Sequence, residues 1–268
     1  MTSTTTSLNG NRLIFFSPTH TSAQIARAIG EGIGMERRME TDLTLDESSS
    51  PIEVEGELCV IATPVYGGRV PALALQRLQR LKGNGAPVIL VVVYGNRDYE
   101  DALRELRDTA ISLGFMPLTA GAFIGEHSYS TPELPIAAGR PDADDLQQAR
   151  KFGKDSLEKW NQLHTAGTPI PELTVKGNFP YKLWTPGAPA CPTCTEGCFA
   201  CGECIEVCPT HAIHFNADQT AIETDIHQCI KCCACVKVCP NKAREFKSPF
   251  AAILHEKCSA RRQPELFF

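Results

Sequence analysis

Twelve of the chain's 13 cysteines lie at or after Cys191, and only Cys59 precedes it. Eight form two runs, Cys198-x2-Cys201-x2-Cys204-x3-Cys208-Pro209 and Cys229-x2-Cys232-x2-Cys235-x3-Cys239-Pro240, and each cysteine of the first recurs 31 positions later in the second. Thiolates are soft ligands that select zinc, copper(I) or iron–sulfur centres. Zinc sites use four ligands, commonly two CxxC pairs with a long spacer, and a duplicated CxxCxxCxxxCP run fits them poorly. A disulfide framework belongs to an oxidising compartment and a secretory signal. Met1 to Gly10 has neither a basic start nor an apolar stretch and reads as a short disordered tail. The spacing therefore points to iron–sulfur ligation in a cytoplasmic protein. The proline after each last cysteine ends the local helix, and Gly202 and Ala234 let backbone approach inorganic sulfide.

The duplicated run resembles bacterial two-cluster ferredoxins. That resemblance implies two [4Fe–4S] clusters, each taking three thiolates from one run and the fourth from the other. Cys198, Cys201, Cys204 and Cys239 are expected to hold one cluster, and Cys229, Cys232, Cys235 and Cys208 the other. Cys59 reads as a buried small hydrophobe. Cys191 and Cys194 form either a further metal or redox pair or two free thiols. No role is assigned to Cys233 or Cys258.

A second chemical signal lies near the start. Leu13-Ile14-Phe15-Phe16 is followed by Ser17-Pro18-Thr19-His20-Thr21-Ser22 and then by an amphipathic run, with Thr21-x-x-Gln24 available as a capping box. A hydroxyl-rich turn at a helix N-terminus can hold a phosphate on N–H and O–H donors without Lys or Arg. The turn resembles the phosphate loop of flavodoxins, with His20 where a glycine is usual. Two more segments follow apolar runs, Pro64-Val65-Tyr66-Gly67-Gly68 and Tyr94-Gly95-Asn96-Arg97-Asp98-Tyr99. Under the same resemblance they flank an isoalloxazine ring. Ser17, Thr19, His20, Thr21, Ser22, Pro64, Val65, Tyr66, Gly67, Gly68, Tyr94, Gly95, Asn96 and Tyr99 are the expected FMN contacts, with ring contact from at least one of Tyr66 and Tyr94. Arg69 and Arg97 either face the ring, raising its potential, or point outward; Asp98 partly offsets them. A phospho-acceptor receiver domain is excluded, because Ser17-Pro18 and Thr63-Pro64 stand where it needs carboxylates.

These sites need a scaffold. The continuous apolar runs Leu13–Phe16, Leu58–Ala62 and Val88–Val93 read as strands buried on both faces, as in a parallel sheet. Helical stripes alternate with them: Ile25, Ile29 and Ile33; Leu103, Leu106, Ala110 and Leu113; and Leu146, Ala149, Gly153, Leu157 and Trp160. Alternation of this kind predicts a flavodoxin-like doubly wound α/β domain over 11–164. Residues 165–190 are proline-rich and read as a linker against which Phe179, Tyr181, Leu183 and Trp184 can pack. A small α+β ferredoxin domain is expected over 191–268. With Gly125-Glu126-His127-Ser128-Tyr129-Ser130 and Gly139-Arg140-Pro141 added, the chain as a whole resembles fused flavodoxin–ferredoxin proteins.

A formal charge of -5 and a pI near 5.8 lack the basic footprint of a nucleic-acid binder. The longest apolar run, Val88–Val93, is too short to span a bilayer. No G-x-G-x-x-G follows a strand, so no dinucleotide fingerprint is present. The expected function is electron relay between FMN and two clusters, to or from partner redox proteins. The alternative is an FMN-dependent oxidoreductase acting on a small molecule, with His127 and Arg140 as candidate catalytic residues. A redox sensor ranks last, since no signalling or DNA-binding domain is evident.

Overall fold

The computed structural model describes residues 8–183 and 189–268. The tail residues 1–7, and Trp184 with the rest of 184–188, lie outside the described residues.

Five parallel strands form the centre of the first domain: β1 (Gly10–Phe15), β2 (Arg38–Asp42), β3 (Glu57–Pro64), β4 (Pro87–Tyr94) and β5 (Met116–Ile124). Their order is β2-β1-β3-β4-β5, all in parallel register. That is the flavodoxin-like doubly wound order, whose switch point lies between the first and third strands. Helices α1 (Thr21–Ile33), α2 (Ala72–Leu78), α3 (Ala102–Ser112) and α4 (Ala143–Ala166) cover the two faces.

The apolar runs explain this arrangement. Alternate residues of one strand enter opposite cores, so Ile14 and Leu90 join one cluster while Leu13 and Ile89 join the other. A strand buried on both faces must be apolar throughout, and β3 and β4 are buried at every position. Helices α1 and α4 approach closely because Gly32 and Gly153 lack side chains. A Cβ on Gly32 would lie 1.9 Å from the Arg150 carbonyl oxygen, and one on Gly153 would lie 2.1 Å from that of Ile29.

The cysteine-rich region carries short elements: α5 (Glu203–Glu206), β6 (Ile213–Phe215), β7 (Ile222–Thr224), α6 (Ala234–Val238) and α7 (Ala251–Lys257). Strands β6 and β7 form an antiparallel hairpin. Its apolar core is small: Ala212, Ile213 and the buried cysteines 204, 208 and 235.

Two boundaries, and the packing of the linker, differ from the sequence reading. The second domain does not run to the end of the chain, because β8 (Glu265–Phe267) pairs antiparallel with β5 and completes the first sheet. This covers an otherwise bare edge strand, and Tyr99 Oη donates to Glu265 Oε2 at 2.5 Å beside it. The tail does not reach position 10: Asn9 donates to the Gly56 carbonyl and Gly10 opens β1. Within the linker, Leu173 and Val175 are the buried members, whereas Phe179 and Leu183 are 68% and 87% exposed. Tyr181 is anchored through its hydroxyl, which donates to Asp108. Asp101 accepts from the amides of Asn178 and Lys182, so the linker is tied to α3's N-terminus by polar contacts more than by aromatic packing.

Among the described residues, no helix is long and apolar enough to cross a membrane.

Candidate functional site

The loops after β1, β3, β4 and β5 gather at the carboxyl ends of the parallel strands, where open α/β sheets bind ligands. They enclose a cavity of about 610 Å³. Thr19, Thr21, Pro64, Val65, Tyr66, Gly67, Tyr94 and Gly95 of the expected FMN contacts line it. Ser17, His20, Ser22, Gly68, Asn96 and Tyr99 do not, but several of them build its wall. His20 caps α1 in the left-handed conformation, φ 65°, at the position where the flavodoxin resemblance places glycine. The capping box of Thr21 and Gln24 does not form, because the N-cap is His20 and it makes no side-chain cap bond. Ser17 acts in its place: its hydroxyl accepts from the Ala23 amide at 3.0 Å, while its own amide donates to Thr44 Oγ1 at 2.8 Å. Ser22 Oγ is buried in the first turn of α1 without a protein partner. A buried unpaired hydroxyl costs free energy, and at a helix N-terminus it suits an anionic ligand.

Tyr94 is buried and tilts against Tyr99, with ring centroids 5.4 Å apart. Burial pushes the Tyr66 phenol well above its usual range, with the neighbouring Cys232 thiol adding to the effect, so it stays neutral. Asn96 faces away from the cavity: its Nδ2 donates to the carbonyls of Cys258 and Ala260, at 2.6 and 2.8 Å. It thereby holds the segment after α7 against the α/β domain.

The cavity also has walls that the sequence did not assign. Ile230 and Lys231 come from the second cysteine run, and Phe250, Ile253 and Leu254 come from α7. Arg97, Lys182, Lys231 and Glu126 carry the charges of the lining, and both Arg97 and Lys182 pair with Glu100 at 2.6 Å. The lining cations come from three separate parts of the chain: Arg97 follows β4, Lys231 lies inside the second cysteine run, and Lys182 lies in the linker, outside any recognisable motif.

Arg69 is elsewhere. Its guanidinium is paired with Glu105, donates to the Lys182 carbonyl at 2.6 Å and lies over the Tyr181 ring. Arg69 neither lines the cavity nor points outward into solvent: it turns onto Glu105, which is buried and needs a cation. Arg140 is likewise no part of the cavity: it is buried, bonded to Asp145 and donates to the Arg262 carbonyl. It anchors the start of α4. His127 does line the cavity. Its Nδ1 accepts from the Tyr129 amide at 3.0 Å, and its ring meets Tyr129 edge-on at 4.9 Å. Burial, helped by Arg97, pushes the imidazole down to about 4.

The cysteines line two further closed cavities. One is walled by Cys198, Cys201, Cys204 and Cys239, the other by Cys208, Cys229, Cys232 and Cys235. These are the two crossed groupings that the ferredoxin resemblance implies. Cys194 joins the first wall and Cys233 the second. Among the described residues no three His, Cys, Asp or Glu side chains converge on a single metal ion. A cubane makes a different demand: each thiolate meets its own iron at a separate corner, so a cavity ringed by four thiols is the appropriate donor set. Burial pushes the Cys204 thiol up to about 11 and the Cys232 thiol up to about 12. Such thiols ionise only when a bound cation compensates the charge.

Arg244 supplies the fixed positive charge here. It is buried, lines the first cavity and donates to Cys194 Sγ at 3.2 Å and to Thr224 Oγ1. The Cys235 thiol also accepts from it, so one guanidinium serves both cysteine sets. Cys59, by contrast, is a core thiol of β3 pushed upward by burial.

Residues 197–244 match the family model of the 4Fe–4S dicluster domain. No curated protein matches the chain. Among solved structures, a flavodoxin from the domain Archaea is 14% identical with a TM-score of 0.37, covering 57% of this chain and 99% of that one. Flavodoxin 1 from Bacillus cereus is 13% identical with a TM-score of 0.40, covering 56% of this chain and 98% of that one. Rubredoxin oxygen:oxidoreductase from Desulfovibrio gigas is 12% identical with a TM-score of 0.41, covering 60% of this chain and 37% of that one. This chain thus spans little more than a third of that oxidoreductase. The flavodoxin-like fold itself stands on the strand order. The chain joins a flavodoxin-like domain to a 4Fe–4S dicluster domain, a combination suited to redox function.

Proposed function

We propose that this protein relays electrons between FMN, held in the cavity at the carboxyl ends of the parallel sheet, and two [4Fe–4S] clusters held by the crossed cysteine sets. One observation carries the reading. Ile230 lines both the flavin-sized cavity and the cavity of Cys208, Cys229, Cys232 and Cys235. The two sites share a wall one side chain thick. No separate function of an α/β domain or of a cysteine domain calls for that proximity; electron transfer does.

FMN can exchange electrons singly or in pairs, whereas each cluster exchanges one, so the flavin supplies the conversion between the two modes. The chain's residues supply position and field. Thr19, Thr21 and the N-terminus of α1 offer hydroxyl and N–H donors to the phosphate. Tyr66 and Tyr94 offer ring faces from opposite flanking loops, and both phenols stay protonated because burial disfavours their anions. His127 is neutral at pH 7, and its Nδ1, committed to the Tyr129 amide, has no proton to give. Arg97 and Lys182 stand at the cavity wall with Glu100 as their common counter-charge. Phe250, Ile253 and Leu254 roof it with apolar surface and limit water.

The test is cofactor analysis of protein purified without oxygen. It should contain one FMN and about eight iron atoms with matching sulfide per chain. Stoichiometric zinc with little iron, or failure to bind FMN, would remove the proposal. Screening for substrate-dependent turnover at the flavin separates a carrier from an enzyme.

A further inference from the structure

The charges of the cysteine-rich region are segregated along the chain. From Leu183 to Ile230 there is no Lys or Arg, while Glu196, Glu203, Glu206, Asp218, Glu223 and Asp225 all fall there. Lys231, Lys237, Lys242, Arg244 and Lys247 then follow within 17 residues. Folding turns this split into two sides. The second cysteine run faces the flavodoxin-like domain, where Lys237 pairs with Glu126 and Ile230 walls the cavity. The first run opens to solvent at Cys201, while its far end meets the flavodoxin-like domain, where Arg77 Nη2 donates to the Pro209 carbonyl at 2.9 Å.

On that outer side Cys201 is exposed. Phe199 beside it is 60% exposed and Phe215 is 39% exposed. The Phe215 ring lies over Gly202, where an added Cβ would sit 3.4 Å from it. Phe215, Glu203 and Glu206 border an open cleft of about 370 Å³ that reaches Cys201. Among the described residues, no ion pair engages Glu203 or Glu206. The surface is therefore an apolar centre with an acidic rim, placed over the Cys198–Cys201–Cys204 set, whose cavity shares no lining residue with the cavity of the first domain, whereas that of the other set shares Ile230.

We infer that this face is the docking surface for a partner redox protein that presents a Lys/Arg rim around an apolar patch, and that electrons enter or leave here by way of the Cys198–Cys201–Cys204 set. The inference rests on the relay proposed above and gives it a direction in space: flavin cavity, inner cluster, outer cluster, partner. Interprotein transfer needs the two cofactors close, and the outer set is the one with an exposed cysteine. Acidic side chains steer a basic partner over long range, whereas the exposed rings supply short-range contact area. At the flavin end, Phe250, Ile253 and Leu254 of α7 form part of the cavity wall instead.

The probe is cytochrome c, a basic haem protein, mixed anaerobically with the reduced holoprotein in a stopped-flow instrument. One electron leaves the reduced protein and converts ferric haem to ferrous haem, with no other reactant. Glu203→Lys/Glu206→Lys should lower the second-order rate constant about tenfold at low salt, and the wild-type rate should fall steeply as salt is added. Glu36→Lys/Glu158→Lys makes the same charge change on the first domain and should stay within about twofold of wild type. Iron and FMN contents are measured first for all three proteins. A wild type without clusters would overturn the relay itself. Loaded proteins in which the first variant keeps its rate, or the second loses as much, would overturn the docking surface alone.

Discussion

In the α/β domain, Ile14, Phe16, Leu90 and Val92 are wholly inaccessible on one face of the sheet, as are Leu13, Phe15, Ile89 and Val91 on the other but for 1% of Phe15. In the cysteine-rich region the interior is Ala212, Ile213 and a few cysteines. The first domain can be held by apolar burial, at roughly 1.5–3 kcal/mol for each fully buried large aliphatic side chain. The second is too small for that, and small domains of this kind are stabilised by covalent or metal staples. Its cysteines 204, 208 and 235 belong to that core, and under the proposed function they would be ligands as well. The lesson is that one cofactor would be a guest in a preformed cavity, whereas the clusters would be part of the fold.

The strongest way to break this comparison is to remove the iron. Chelation under mild oxidation should unfold the cysteine-rich region while the parallel sheet persists, because metal-binding free energy there is folding free energy. Limited proteolysis should then cut within the cysteine-rich segment 197–244 and spare the strands of the parallel sheet. Equal protection before and after chelation would show that both regions stand on their own apolar cores.

Within the first domain, Leu90→Ala should cost about 2–5 kcal/mol in urea titration, the usual range for a core cavity. Iron content per folded chain should not change. Arg69→Ala comes next, at about 3 kcal/mol, because buried Glu105 would lose its cation. Since Arg69 is committed to Glu105 and to the linker, the flavin potentials should stay at wild-type values. A lowered semiquinone-to-hydroquinone potential would place Arg69 at the ring after all.

Thr19→Glu/Thr21→Glu puts negative charge at the proposed phosphate site and should weaken FMN retention about 100-fold, read by flavin fluorescence after gel filtration. The clusters should remain. Loss of iron together with flavin would contradict the independence of the two regions.

The smallest effect expected is pH-dependent. His127 holds fewer protons in the folded state, about 4 against 6.5 in the unfolded chain. The unfolded state therefore binds more protons between those values, so the contribution is complete above pH 6.5 and is lost as pH falls toward 4. Between pH 7 and pH 5 it amounts to about 2 kcal/mol. His127→Gln should flatten the pH dependence of the urea midpoint by that amount, and an unchanged slope would mean that the imidazole is not held neutral.

Much of this organisation was legible from residue order. Strands buried on both faces must be apolar at every position, so Leu58–Ala62 and Val88–Val93 announced a parallel sheet. Cysteines two and three residues apart can only serve a common centre, so the duplicated run announced clustered thiols. The hydroxyls of Thr19 and Thr21 followed from a strand-turn-helix pattern. Those are short-range constraints, written in spacing and periodicity. What came only from the tertiary structure is where distant segments meet. Nothing in the local pattern of Glu265–Phe267 says that it closes the first sheet. Arg69 and Arg97 look alike in sequence, yet one finds Glu105 thirty-six residues away and the other lines the cavity. Ile230 lines two cavities at once only because the second cysteine run docks against the loops of the sheet. Partner choice across such distances depends on which buried charges and bare edges need covering, and that is decided by packing in three dimensions.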